Sequence, residues 1–280
     1  MKRLVVTADD FGAAREVNDA VLEAHAKGIL TATSLMVAAP AAADAVARAK
    51  AAPSLRVGLH LVLVEGAPVL PVSQVPDLVD VHGNFRTDMA RAGAAMFFLP
   101  HVKRQLAEEI AAQFAAFRAT GLALDHVNAH KHFHLHPTIA ALMLSIGRDF
   151  GLKAARVPLE PAVTLARIEP YKGSSVAALT RPFAQGLRRR FARAGIVSPD
   201  AVFGLAWSGA MTGARLKGIL ENLPEGLSEI YLHPATGAYP GSAPGYRYAE
   251  ERAALLDPAV IAATQGGDIC LGGFCDFPIH

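Results

Sequence analysis

The sequence predicts one α/β domain, a parallel sheet covered by helices and either open or closed into a barrel. Three observations carry this. Short apolar, β-branched runs alternate with stretches of helical apolar spacing, and hairpin signals are few. Those runs are apolar throughout, as in strands buried on both faces. Acids and histidines stand where the runs end, and the C-terminal ends of parallel strands are where such folds place their sites.

Taken in order, residues 3–7 (RLVVT) form a strand that stops at Asp9 and Asp10. Residues 15–27 form a helix, with Val17, Val21, Leu22 and His25 on its spacing and Gly28 as the glycine just past its end. A strand follows at 33–38, then an alanine-rich helix at 41–52 closed by Pro53. Residues 56–64 (RVGLHLVLV) are the clearest strand of the chain. Residues 65–100, rich in Pro and Gly, read as a long loop or lid. Helix is expected at 102–120, strand at 124–129, helix at 137–150 and strand at 154–157. A strand at 228–232 and a helix at 248–256 complete the pattern. With no internal repeat, linker or charge block, residues 1–280 read as a single domain.

A length of 280 residues suits one large α/β domain. A net charge of +2 argues against a nucleic-acid partner recruited by bulk charge. With 52% apolar and 19% charged residues, the chain is not disordered. Two cysteines, Cys270 and Cys275, exclude a disulfide framework and read as small buried hydrophobes. No run of about 18 apolar residues exists, and the N-terminal run is too short for a signal peptide. A cytoplasmic protein is therefore expected. The first strand ends in Ala8-Asp9-Asp10-Phe11-Gly12 without G-x-G-x-x-G, and no phosphate-binding loop motif occurs.

Four strand ends carry chemistry: Asp9 with Asp10, His60, the run from His130 through His132, His134 and His136 to Pro137, and His233 before Pro234. Alone, His60 among leucines reads as a satisfied core histidine, and an Asp at a strand end often caps the next helix. The histidine run is harder to set aside in a chain with only 11 histidines. On an extended backbone its four imidazoles would share one side. A carboxylate with two imidazoles leaves open positions on a divalent metal, so a metal site is expected in this region. The remaining histidines would orient ligands, bind substrate or shuttle protons.

These motifs resemble the YdjC-like carbohydrate deacetylase family. The resemblance rests on Ala8-Asp9-Asp10-Phe11-Gly12, Gly58-Leu59-His60-Leu61, His130-Lys131-His132-Phe133-His134 with Pro137, and His233-Pro234, in the family's order. Residues 34–37 (SLMV) and 57–66 (VGLHLVLVEG) resemble the branch associated with hopanoid biosynthesis. The resemblance implies an irregular (β/α) barrel, glycoside hydrolase/deacetylase-like, with one divalent ion, zinc or magnesium, held by Asp10, His60 and His130. It implies Asp9 as general base, His233 as general acid and Arg156 as a group orienting Asp9 or the substrate. His136 stands where the family pattern is more apolar. The implied substrate is an N-acetylated amino sugar, in the finer reading an N-acetylglucosaminyl hopanoid and so lipid-linked.

That chemistry suits the residue types. Amide hydrolysis needs an activated water, stabilisation of the developing oxyanion and a proton for the departing amine. Successive strand side chains point opposite ways, so Asp9 and Asp10 reach one site only if the backbone turns there. Two rivals stand beside this reading: a metal phosphoesterase, disfavoured by the shortage of further carboxylates beside the motifs, and a sugar-binding module with a structural metal, which needs no Asp9.

Elsewhere, Trp207, Met96-Phe97-Phe98-Leu99 and the pair Asp125-His126 read as packing or structural residues. Residues 179–193 read as a basic amphipathic helix, with Phe183, Leu187 and Phe191 on one face beside Arg181, Arg188, Arg189, Arg190 and Arg193. It would permit peripheral contact with the inner membrane face. Oligomeric state stays open, a homodimer included.

Overall fold

Strands apolar on both faces need cover on both sides. In the computed structural model, which describes residues 1–171 and 175–277, helices supply it. The strands are β1 (Lys2–Phe11), β2 (Ala32–Leu35), β3 (Arg56–Leu61), β4 (Val127–Ala129), β5 (Ala201–Phe203), β6 (Gly226–Leu232) and β7 (Ile269–Leu271). The helices are α1 (Arg15–Lys27), α2 (Ala42–Ala51), α3 (Met89–Phe98), α4 (Pro100–Ala119), α5 (Pro137–Asp149), α6 (Ala162–Ile168), α7 (Ser175–Arg193), α8 (Gly213–Glu221), α9 (Tyr248–Leu256) and α10 (Pro258–Thr264).

All strand pairings are parallel, in the order β4-β3-β2-β1-β6-β5, and β7 lies beside the start of β1. The sheet curls, and residues 153–159 stitch its open edges together. On one side Val127 N donates to Ala154 O (3.0 Å) and Arg156 N to Val127 O (3.1 Å). On the other, Ala155 N donates to Val197 O (2.9 Å) and Val202 N, in β5, to Leu159 O (2.9 Å). The result is the expected irregular barrel with a loose seam. The strand expected at 154–157 is this seam, where Ala154 and Ala155 form only isolated bridges.

Several boundaries differ from expectation for identifiable reasons. β1 continues through Asp9 and Asp10 to Phe11, with both acids buried. Gly28 has φ −119°, not a left-handed φ; a Cβ there would lie 2.3 Å from Leu255 O, so the glycine serves close approach of α1 to the end of α9. The stretch 65–100 is not all loop: α3 occupies its end, with Asp88 accepting from Arg91 N at 3.0 Å as its N-cap. Buried Glu109 of α4 accepts from Val69 N (2.9 Å) and Leu70 N (3.0 Å) and fixes the preceding loop.

The expectation of packing holds for buried Met96 but not for its neighbours, because Phe97, Phe98 and Leu99 are exposed at the turn from α3 into α4. Cys270 and Cys275 are likewise exposed, not buried. In α7, Leu187 and Phe191 are buried while Phe183 is 55% exposed, so the three do not share one face. A four-residue repeat drifts by about 40° per step on a helix. Trp207 is buried beneath Arg215. Asp125 and His126 are structural: Asp125 accepts from His126 Nδ1 (2.9 Å), Phe274 N (3.2 Å) and Cys275 N (3.0 Å), tying the C-terminal segment to the strand it precedes.

Candidate metal centre and catalytic site

The end of β1 solves the problem of two adjacent acids in a strand. Its register with β2 shifts between Ala8 and Phe11, and Asp10 takes φ +63°. The turn beyond is held by Asn18 of α1, whose Oδ1 accepts from Gly12 N at 2.9 Å. Both carboxylates thereby line one cavity.

Asp10 meets His60 and His130 there. Asp10 Oδ1 lies 3.3 Å from His60 Nε2 and 3.3 Å from His130 Nδ1, and the two nitrogens are 3.5 Å apart. Ligands ~2.0–2.1 Å from a tetrahedral ion lie about 3.3–3.4 Å apart, so the triangle has the dimensions of a metal-ligand set. Asp10 Oδ1 is buried with no hydrogen-bond partner, as a ligand oxygen would be. Among the described residues these three form the one such group. His60 Nδ1 lies 2.7 Å from Asn128 Oδ1 and 3.0 Å from Ser34 Oγ, contacts that orient the ring with Nε2 toward the triangle. Burial opposes charge on Asp10, but the two imidazoles outweigh it and hold its carboxyl well below the usual range.

Asp9 is also buried. Arg156 donates to it through Nη1 (2.6 Å to Oδ2) and Nη2 (2.9 Å to Oδ1). Asn128 Nδ2 (2.9 Å) and Ser34 Oγ (3.0 Å) also donate to Oδ1. Burial alone would raise Asp9, but the guanidinium overcomes it and the carboxyl sits far below its ordinary value. Arg156 is itself fully buried, carried on the seam, and is held from behind by Glu229 of β6 at 2.6 Å. It touches Asp9 and does not line the cavity.

The histidine run is not extended. Residues His130–Leu135 form a 3₁₀ turn in which Lys131 (φ 52°) and His132 (φ 53°) are left-handed. The four imidazoles therefore diverge instead of sharing one side. His130 faces the triangle; His132 Nε2 bonds Tyr231 OH (3.0 Å); His134 Nε2 donates to Arg156 O (3.0 Å); and His136 packs beside Phe97. Burial pushes His134 down to about 3, so it stays neutral and braces the seam. Among the described residues, the non-glycine positions with positive φ are Asp10, Glu65, Lys131 and His132, and all of them line the same cavity. Left-handed φ in such residues costs about 1–3 kcal/mol each and collects at functional sites.

That cavity, ≈ 570 Å³, has the triangle and Asp9 in its wall together with His233. All five tyrosines of the chain line it: Tyr171, Tyr231, Tyr239, Tyr246 and Tyr248. None was singled out by sequence, because they come from loops, β6 and α9 with no shared period. His233 stands 5.2 Å from Tyr246, ring to ring, and its backbone N donates to Glu251 Oε2 at 2.5 Å. Ser34, Asn128 and Glu229 were also missed as site residues; the alternation of β2, β4 and β6 turns each of them inward.

The carboxylates beside the motifs are more numerous than the sequence suggested, but they are engaged. Glu229 binds Arg156, and Glu65 pairs with Lys131.

Residues 3–265 match the YdjC-like protein family. The chain is 30% identical to a carbohydrate deacetylase of Geobacillus stearothermophilus over 92% of its length and 91% of that protein. It is 31% identical to a human carbohydrate deacetylase, covering 85% of this chain and 76% of that one. A carbohydrate deacetylase of Brevibacillus brevis is 38% identical, over 56% of this chain and 58% of the relative. The fold is shared with a protein described as a cellobiose-phosphate cleavage protein from Enterococcus faecalis, at TM-score 0.77 and 24% identity across 99% of both chains. A match over nearly the whole chain, with the strand-end motifs assembled into one site, makes this protein a member of the YdjC-like family.

Proposed function

We propose that the protein is a metal-dependent hydrolase that removes the N-acetyl group from an acetylated amino sugar. The observation that carries this is the Asp10–His60–His130 triangle beside Asp9 in a cavity lined by every tyrosine of the chain. Tyrosine offers an apolar face to a sugar ring and a hydroxyl to its hydrogen bonds. The names of the relatives, carbohydrate deacetylases, support the reaction type.

A divalent ion held by Asp10, His60 and His130 supplies Lewis acidity toward the acetyl carbonyl and lowers the pKa of water. The two imidazoles suit zinc. Asp9 takes the proton of the attacking water, and the Arg156 clamp keeps its carboxylate ionised and aimed. His233 gives a proton to the nitrogen as the C–N bond breaks. The aromatic wall positions the sugar so that this nitrogen faces His233. The phosphoesterase reading is not favoured, because beyond the triangle the nearby carboxylates are engaged: Asp9 and Glu229 by Arg156, Glu65 by Lys131, and Glu160 by the backbone N–H groups of Gly204, Leu205 and Ala206.

The finer substrate, an N-acetylglucosaminyl hopanoid, is supported by exposed Leu179 (73%) and Phe183 (55%) on α7, flanking Thr180 of the cavity wall. An apolar aglycone leaving the cavity would run along that helix. Arg181, Arg188, Arg189 and Arg190 are exposed on it, and basic residues near an anionic surface contribute about 1 kcal/mol each. Among the described residues no helix is long and apolar enough to cross a membrane, so contact with the inner face would be peripheral.

The decisive measurement is acetate release from N-acetylglucosaminyl substrates, with and without a hopanoid aglycone, before and after chelation. We expect release that chelation abolishes and zinc restores. Release untouched by chelation and by metal depletion would overturn metal dependence; no release from any sugar would overturn the activity.

Asp9→Asn is expected to keep fold and bound metal while slowing turnover by about 10²–10⁴-fold, the range of general-base catalysis. His233→Ala should lose a similar factor, recovered in part on substrates with a better leaving amine. Near-normal turnover in the first variant, or indifference to the leaving group in the second, would reassign the residue.

A further inference from the structure

Asp10 and His130 face two cavities. Besides the tyrosine-lined one, a second of ≈ 450 Å³ touches both ligands but not Asp9, His60, His233 or Tyr231. Many of its lining side chains are apolar, among them Ala13, Met36, Val37, Ala39, Val62 and Ala67. The polar side chains there besides the ligands are Glu65, Asn84, Gln113 and Tyr239. Glu65 is paired with Lys131, and Gln113 accepts from Val62 N (3.0 Å) and donates to Val62 O (2.7 Å). A hydrocarbon chain packs against the apolar side chains and needs no hydrogen-bond partner there.

The direction of the reaction assigns the occupant. In hydrolysis of an N-acyl sugar, the oxygen of water bonds to the carbonyl carbon and the C–N bond breaks. The nitrogen takes a proton and leaves as an amine, and the acid is released as carboxylate. With the carbonyl at the triangle and the nitrogen toward His233, the remaining substituent on that carbon, the acyl chain, points away from His233. The second cavity touches Asp10 and His130 but not His233, and an acetyl methyl would fill little of it.

We propose that this cavity is an acyl-chain subsite and that the enzyme hydrolyses N-acyl amino sugars with apolar chains longer than acetyl. The inference rests on the deacetylase reading above. The test compares kcat/KM of the metal-loaded enzyme for N-acetyl-, N-butyryl- and N-hexanoylglucosamine, and for N-acetylglucosamine carrying a butyl group at O1. A fully buried methylene favours binding by about fourfold, so N-butyryl is expected to exceed N-acetyl several-fold, with N-hexanoyl at least as good.

Calorimetry with hexanoate and acetate reads the same cavity without turnover, and hexanoate should bind at least tenfold more tightly. Ala39→Leu, and Ala67→Leu from a separate segment, should each lower the N-hexanoyl to N-acetyl ratio tenfold or more. N-butyryl hydrolysed tenfold more slowly than N-acetyl, or hexanoate bound no better than acetate, would overturn the subsite. So would a gain confined to the O1-butyl substrate, which would assign the cavity to the aglycone. Failure on all four substrates would count against the deacetylase reading itself, while the binding of hexanoate would still decide the cavity's occupant.

Discussion

His130→Ala is expected to lose the metal and the activity together. A bound ion provides several kcal/mol of transition-state stabilisation, so the rate should fall by about 10³-fold or more. His130 is the cleaner of the two imidazole variants. It is partly exposed at the end of a turn, whereas His60 is buried against Asn128 and Ser34. His60→Ala should produce the same double loss plus destabilisation of about 1–3 kcal/mol, from the Asn128 oxygen left without its partner. Metal content of the purified variants by plasma mass spectrometry, read beside acetate release, checks both. Full occupancy in either variant would remove that residue from the ligand set.

Arg156→Met should have the largest effect on stability. The guanidinium is fully buried between Asp9 and Glu229. Its removal strands two buried carboxylates, and breaking such a pair costs about 3–5 kcal/mol. The pH dependence has a definite sign. In the wild type the folded-state pKa of Asp9 lies far below its ordinary value. Its contribution is complete above about pH 4, the unfolded carboxylate range, and is lost only as pH falls toward the depressed value.

Without Arg156, burial raises the folded pKa above the unfolded one. The variant then loses stability as pH rises from about 4 through that raised value. Relative to wild type, Arg156→Met should therefore melt higher at pH 5 than at pH 8. Adding Glu229→Gln should restore part of the melting temperature but not turnover, because Asp9 remains unclamped. Arg156→Lys keeps the charge without the two-pronged geometry; it should fold and turn over slowly. A flat pH profile for Arg156→Met would mean that Asp9 gains little from its partner.

The polar ends of the apolar runs were legible as such, but what those groups do was read from the family resemblance. Asp9 with Asp10 at the end of β1 and His60 near the end of β3 stand there, yet taken alone His60 reads as a core histidine and the aspartates as a helix cap, while α1 was delimited by its apolar spacing. β5 and β7, three residues each, are too short to carry a period, and neither they nor α6, α8 and α10 were anticipated. The histidine run misled because alternation presumes an extended backbone, while Lys131 and His132 are left-handed, a state no hydrophobic pattern encodes. Arg156 could be named but its partner Glu229 could not. The two lie 73 residues apart, and only closure of the barrel makes them neighbours. The tyrosines converge from separate elements for the same reason.

The seam that carries Arg156 also bears on how the protein comes to be active. Asp9, Arg156 and Glu229 come from β1, residues 153–159 and β6, with Arg156 147 residues from Asp9 along the chain. Contacts so distant in sequence form slowly, since loop-closure entropy is lost before they reward it. An open sheet already holding β1 to β4 could assemble Asp10, His60 and His130, yet it would lack the clamp on Asp9. In a refolding experiment, metal uptake and catalysis would then mark separate stages, the first reporting β1 to β4 and the second the closed ring.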